Sequence, residues 1–427
     1  MNKSKQLNQW LWKWHIIAGL VSVPIMALLC ITGAIYLFKG QFNDYVYDDA
    51  RFTVSSEGQQ HRPFSEQLNV AEGASDSHIM SVTLPQNSEQ TTAFREHATR
   101  HARNLIYVNP YTSEVTGTYQ QKESFMYTVR KLHGELLLGQ VGTLVVELVA
   151  SWFIVLALTG IYVWWPFKTF SASGFFTIRT NKTRKIFWRD MHAVLAFWMS
   201  LFMLIILAGG MPWTELFGDN LKWVQQQTNT GYPQHWRNSK GLESNLSEDQ
   251  SQSSISLDQV VDFSKEKNLK GEITIKIPME PSGVFTVTNK SFWLEDQRVL
   301  HVDQYSGEII KELEWNQVGI LMALRQVFMR LHQGEYGTAN LIAVLMVALT
   351  FFLSTTASLI SYLVRKPKGR WGLPKVPASF NAGLVVMLLI GFLALLFPAF
   401  GLSLLLILVG SWLASLFAGN RQSQPQQ

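Results

Sequence analysis

Four of the ten histidines stand at the head of apolar runs: His15, His133, His192 and His332. Imidazoles in that setting suit one chemistry well. A low-spin haem takes two neutral imidazoles on opposite faces, each aimed by its second ring nitrogen, and needs small residues where the flat macrocycle lies against a helix. Gly19 follows His15 by four residues and Ala196 follows His192 by four, so each clears the same helical face one turn on. Gly134 and Gly334 flank the other two histidines. The only cysteine, Cys30, lies inside the first apolar run, which excludes intrachain disulfides, a Cys-x-x-Cys-His attachment site, thiolate zinc sites and cysteine-ligated clusters. Haem held here would be b-type and non-covalent. For any one histidine alone, the competing reading is an amphipathic ring resting at the membrane interface.

The elements that must position these rings repeat along the chain. Apolar runs cover 15–38, 143–165, 193–213, 339–364, 380–397 and 401–418, giving six spanning candidates, the last two short and joined at 397–401 as a hairpin. Arg130, Lys131, Leu132 and His133 precede one run, and Arg330, Leu331, His332, Gln333 and Gly334 precede its counterpart two hundred residues later. Each half therefore reads as helix, extramembrane domain, helix, a duplication that places a site at the repeat interface. The boundaries follow: spans at 1–39, 131–166, 191–213 and 330–365, extramembrane domains at 40–130 and 214–329, loops at 167–190 and 366–379, a helical hairpin at 380–418 and a tail at 419–427.

Basic residues set the orientation. Lys3, Lys5 and Lys13, then Lys168, Arg179, Lys182, Arg184, Lys185 and Arg189, then Arg365, Lys366, Lys368, Arg370 and Lys375 mark three cytoplasmic segments, so both termini are expected inside and the two long domains outside. The net charge of +5 and pI near 9.1 sit in these loops, where topology and anionic lipid account for them, and no nucleic-acid partner is implied. The first run is too long for a cleaved signal peptide and is expected to remain as an anchor. Depth then sorts the histidines into two couples, His15 with His192 near the cytoplasmic face and His133 with His332 near the outer face. Each couple would supply the axial ligands of one iron, for two haems b per chain.

Other residues invite secondary readings. His15, Ser22, Met26 and Gly33 share a helical face, as do His192, Met199, Met203 and Gly210. Met26 and Met203, each eleven residues after its histidine, are read first as fillers of an irregular core, and otherwise as a layer between the two haem levels. Glu147, alone in an apolar run, suggests proton balance or a quinol neighbour, or a hydrogen bond to Ser151 or an adjacent helix. A continuous helix from His133 to Tyr162 would be roughly 43 Å long, a long gap for one electron hop unless tilt or aromatics such as Trp152 shorten it. The remaining histidines, His61, His78, His97, His101, His235 and His301, fall in polar segments. They are read as solvated, although His97 and His101 have helical ligand spacing beside Arg95, Arg100 and Arg103. Segment 238–256, rich in Ser, Asn and Gln, is expected to be a flexible loop.

In the outer segments, Asn109 to Ser113 reads as a turn between strands within Leu105 to Gly117, and Leu300 to Glu312 repeats it around Asp303, Gln304, Tyr305, Ser306 and Gly307. This hairpin resembles that of PepSY domains, with Ser113 standing where the second copy has Gly307. With the four histidine-headed spans, and with Thr159, Gly160, Trp164 and Trp165, the chain over residues 7–418 resembles the PepSY-associated transmembrane family. The fourth span departs from that pattern, with Thr355, Thr356, Leu363 and Val364. The resemblance implies a membrane α-helical bundle with two α+β PepSY-like periplasmic domains in a bacterial inner membrane. It also implies reduction of a ferric chelate or siderophore in iron uptake.

A transmembrane haem-dependent ferric reductase is thus the expected function. No Gly-x-Gly-x-x-Gly fingerprint follows a strand, and the cytoplasmic loops are too short for a flavin or nicotinamide domain. The electron donor must then be a separate reductase, free reduced flavin or the quinol pool. The alternative, from a different class, is a non-enzymatic membrane protein whose PepSY-like domains bind periplasmic partners or assist an iron transporter.

Overall fold

The computed structural model describes residues 3–53, 59–97, 104–167, 171–245, 253–377 and 379–421. In chain order the helices are α1 (Lys3–Tyr36), α2 (Lys39–Val46), α3 (Asp48–Arg51), α4 (Phe64–Gly73), α5 (Phe125–Glu135), α6 (Gly139–Trp164), α7 (Arg184–Gly210), α8 (Leu216–Gln227), α9 (Leu257–Glu266), α10 (Ile320–His332), α11 (Gly337–Arg365), α12 (Leu384–Leu396) and α13 (Pro398–Arg421). The strands are β1 (Ile79–Thr83), β2 (Thr92–Glu96), β3 (Asn104–Val108), β4 (Val115–Gln120), β5 (Glu272–Lys276), β6 (Val284–Lys290), β7 (Arg298–Asp303) and β8 (Ile309–Glu314). The chain separates into two compact units, one of Met1–Leu37, Val129–Trp223 and Phe328–Gln427, the other of Phe38–Thr128 and Val224–Val327.

The first unit is helical. Among the described residues, five of its helices are long and apolar enough to cross a membrane, namely α1, α6, α7, α11 and, as far as Ser415, α13. The run expected at 380–397 yields only the 13-residue α12, about 20 Å of rise and short of a ~30 Å hydrocarbon core. Helix α1 packs on α6 and α11, and α7 packs on the same two, so the four close a ring. Met26, Cys30, Val149, Phe153, Met203, Val347 and Phe351 fill its middle as one buried cluster. Both methionines are core fillers at one depth, as side chains free to bend around an aromatic pair should be.

The long helix expected from His133 to Tyr162 is broken. Helix α5 ends at Glu135 and α6 starts at Gly139, with Leu136, Leu137 and Gly139 all at positive φ. The corner is tight. A Cβ on Gly142 would lie 1.6 Å from the Glu135 carbonyl oxygen, so only glycine fits. Between α10 and α11 the chain is interrupted again, with Gly334 and Gly337 at positive φ.

The second unit is built on one sheet. The two extramembrane segments, expected as separate domains, contribute four strands each to a single antiparallel order, β4-β3-β2-β1-β5-β6-β7-β8. Ser81, Val82 and Thr83 of β1 face Lys276, Ile275 and Thr274 of β5 at the seam. Strand alternation sends Val82, Phe94, Ile106, Ile275, Val287 and Leu300 into one core with Phe64 and Ala71 of α4 and Val260 and Val261 of α9. A capping box of Ser256 and Gln259 starts α9. The Asp258 carboxylate then accepts from the Phe64 and Ser65 amides at the start of α4, tying the segments together.

Both expected hairpins are present. Asn109 accepts from the Tyr111 and Thr112 amides, and Asp303 from those of Tyr305 and Ser306. Gly307 has φ +73° and Ser113 takes φ +58° at the matching position, so the first copy keeps the turn at the cost of a strained residue. Although burial alone would raise it, the Asp303 carboxyl is held below the usual range by amides of Ser306, Asn245 and Tyr305. The loop expected at 238–256 is tethered at both described ends: Ser244 and Asn245 bond to Ser282 and Asp303, and Ile255 to Gln304. Residues 246–252 lie outside the described residues.

Candidate functional site

Within the helical unit the four histidines meet in twos. The His15 and His192 ring centroids are 6.2 Å apart with planes at 53°. Those of His133 and His332 are also 6.2 Å apart, at 61°. Two imidazoles bound to opposite faces of one iron, with metal–nitrogen bonds of about 2.0 Å, put their centroids ~6.3 Å apart. Both couples match that span.

Hydrogen bonds decide which ring nitrogen carries the proton. Nδ1 of His15 lies 3.0 Å from Thr159 Oγ1, which itself donates to the Val155 carbonyl, so the hydroxyl must accept and Nδ1 must donate. His133 repeats this with Thr32, 3.0 Å away, whose hydroxyl donates to the Leu28 carbonyl. Nδ1 of His192 donates to the Ser354 carbonyl at 3.1 Å, and Nδ1 of His332 to the Ile206 carbonyl at 2.8 Å. A neutral imidazole with Nδ1–H has its lone pair on Nε2. All four rings are therefore held in the tautomer that a metal-ligating histidine needs, through the second nitrogen that usually fixes its orientation.

Small residues seat the rings. A Cβ on Gly160 would lie 3.2 Å from His15 Cε1; on Gly33, 3.1 Å from His133 Cε1; on Gly210, 3.2 Å from His332 Cε1. Gly209 is tighter still, its added Cβ falling 2.3 Å from the Phe328 carbonyl oxygen and 2.7 Å from His332 Cβ. Sequence reasoning placed Gly33 and Gly210 on the histidine-bearing faces without seeing what they seat. The signal was there: each lies eighteen residues, five helical turns, after the first histidine of its helix. That spacing puts the couples about 27 Å apart along α1 and along α7.

Around His15 and His192 lies a cavity of about 310 Å³, lined by α1, α6, α7 and α11. Gly19 and Ala196 both line it, and a Cβ on Gly19 would meet nothing within 4 Å. Among the described residues no three His, Cys, Asp or Glu side chains converge as a protein-only metal cluster requires. A pair of imidazoles suits an iron whose four other ligands come with a macrocycle. Donor set, spacing and tautomer fit haem b at both couples, and the mostly apolar cavity fits it at the first. The residues that would hold it are His15 with His192, beside Gly19 and Ala196, and His133 with His332.

These features combine with an extended match. The model of the PepSY-associated TM region matches residues 12–371. The chain belongs to the PepSY-associated transmembrane family. No curated protein matches it. Membership covers all four histidines, both hairpins and the spans between, while α12 and α13 lie beyond the matched stretch.

Two other candidates resolve differently. Glu147 is fully buried, and its carboxylate accepts from the amides of Leu216 at 2.8 Å and Phe217 at 3.0 Å, the first residues of α8. It caps a helix N-terminus, where negative charge is favoured. The Ser151 hydroxyl donates to the Glu147 backbone carbonyl, not to its carboxylate. His97 directly follows β2, and its expected partner His101, with Arg100 and Arg103, lies outside the described residues.

The polar-segment histidines include one that is not solvated. His301 is fully buried, with Nδ1 3.0 Å from Thr286 Oγ1 and Nε2 2.9 Å from the His235 carbonyl. Burial lowers its pKa, against the hydrogen bond to His235. With both nitrogens engaged it is a structural histidine.

Proposed function

We propose that this family member is a multi-pass inner-membrane reductase. It would carry haem b at each histidine couple and move electrons from the cytoplasmic side to a ferric chelate, of the siderophore class, in the periplasm. The observation that carries this reading is the twofold recurrence of a 6.2 Å imidazole couple whose members all donate through Nδ1. Haem b, when bound, supplies one-electron redox chemistry that no side chain here provides.

The chain's own residues do the rest. Thr159, Thr32, Ser354 and Ile206 aim the rings, and the bundle around Phe153 and Phe351 keeps water from the middle layer. The orientation, with both termini and the basic loops inside, rests on the positive-inside rule. Under it, the donor is a cytoplasmic reductase, free reduced flavin or membrane quinol.

The test is optical. Full-length protein from haem-replete cells, in nanodiscs, should give a reduced-minus-oxidised b-type spectrum with two haems per chain, and dithionite-reduced protein should be reoxidised by a ferric chelate. Colourless protein would remove the reading and leave the partner-binding alternative.

A further inference from the structure

The cavity around His15 and His192 holds more polar groups than ring ligation uses, and all those left over can donate. Arg189 and Arg365 line it, as do Trp12 and Trp164, and no acidic residue does. Each arginine lies over an indole contributed by the other half of the chain: Arg189 5.5 Å from the Trp164 ring, Arg365 5.8 Å from the Trp12 ring. The arginines are held from behind. Arg189 donates to the fully buried Asp190, which Arg179 also grips through both oxygens, and Arg365 Nε donates to the Ser361 carbonyl.

Two further groups are unsatisfied. Ser361 is 2% exposed and its Oγ has no partner, nor has the buried indole Nε1 of Trp164; both residues line the cavity. Buried donors without acceptors cost free energy and call for a ligand. An indole N–H and a guanidinium can only donate, so the missing partner is an acceptor, and beside two cations an anion. The local charge agrees: Arg179, Arg189 and Arg365 give +3 and Asp190 gives −1, leaving +2. All four lining side chains stand at one end of the bundle. Trp12 and Arg189 each lie three residues before a ligating histidine, Trp164 ends α6 and Arg365 ends α11.

We infer that Arg189, Arg365, Trp164 Nε1 and Ser361 Oγ form a carboxylate-binding subsite for the two acidic side arms of the macrocycle held between His15 and His192. The inference rests on the proposed haem reading. It fixes which way the acidic edge faces and makes the arginines tuners of that centre alone.

The test compares wild-type holoprotein with Arg189→Gln, Arg365→Gln and the double variant by spectroscopic redox titration. Removing two cations leaves the reduced centre less compensated by positive charge and so disfavours reduction. At a fixed ambient potential, the reduced-to-oxidised ratio of the His15/His192 centre should fall about tenfold, ~59 mV for a one-electron couple. The His133/His332 centre should not move, and its unchanged titration shows that the variant is folded. Apoprotein from haem-deficient cells should also retain haem b over its dimethyl ester by about tenfold, a preference lost in the double variant and weakened in Ser361→Ala. An unshifted potential with no ester discrimination overturns the subsite while two haems remain. Wild-type protein without haem overturns the proposed function as well.

Discussion

The two histidine couples present the same chemistry on different supports. His15 and His192 sit within the long helices α1 and α7 and are aimed from α6 and α11 by Thr159 and Ser354. His133 and His332 sit at the ends of the short helices α5 and α10, and are seated on α1 and α7 at Gly33 and Gly210. In the first couple the long helices carry the histidines themselves; in the second they carry the seats and the acceptors that aim the rings, Thr32 and the Ile206 carbonyl. Helix α1 thus bears a histidine of one couple and is the platform for the other, and α7 does likewise.

That contrast can be broken by substitution. The largest expected effect is Gly33→Leu or Gly210→Leu, either of which fills the space of a ring carbon 3.1 to 3.2 Å away and should abolish the His133/His332 centre while leaving the other spectrally intact. Loss of both centres, or of neither, would remove the asymmetry. Next comes Thr159→Val, which takes the acceptor from His15 Nδ1 and should weaken haem retention at the first couple by about 10- to 100-fold, read as haem loss to apomyoglobin. Ser354→Ala should do less, because the backbone carbonyl that accepts from His192 stays in place.

His301 serves as the control of smallest effect, since both its nitrogens are engaged and His301→Gln should leave the haem count unchanged. Its lowered pKa means the folded chain binds fewer protons than the unfolded one. Its contribution to stability is therefore complete above the unfolded value of about 6.5 and declines as pH falls toward the folded one. Between pH 7 and 5 the wild-type melting temperature should drop more than that of His301→Gln.

Much of the helical unit could be read from the chain, because apolar runs and histidine spacing are local signals. The break before Gly139 could not, since Leu136 and Leu137 adopt positive φ, which no propensity of leucine announces. The joined sheet was hidden for another reason: β1 and β5 pair across roughly two hundred residues, and nothing local marks Val82 as a seam partner of Ile275. Glu147 was conspicuous but ambiguous. Its role appeared only once the start of α8 was placed beside it.

The most direct test of the central claim is the haem-to-chain ratio across paired alanine variants of the full-length protein. If the couples are as described, His15→Ala with His192→Ala leaves one haem, as does His133→Ala with His332→Ala, whereas His15→Ala with His133→Ala leaves none. One haem in the last variant, or two in either of the others, would contradict the pairing.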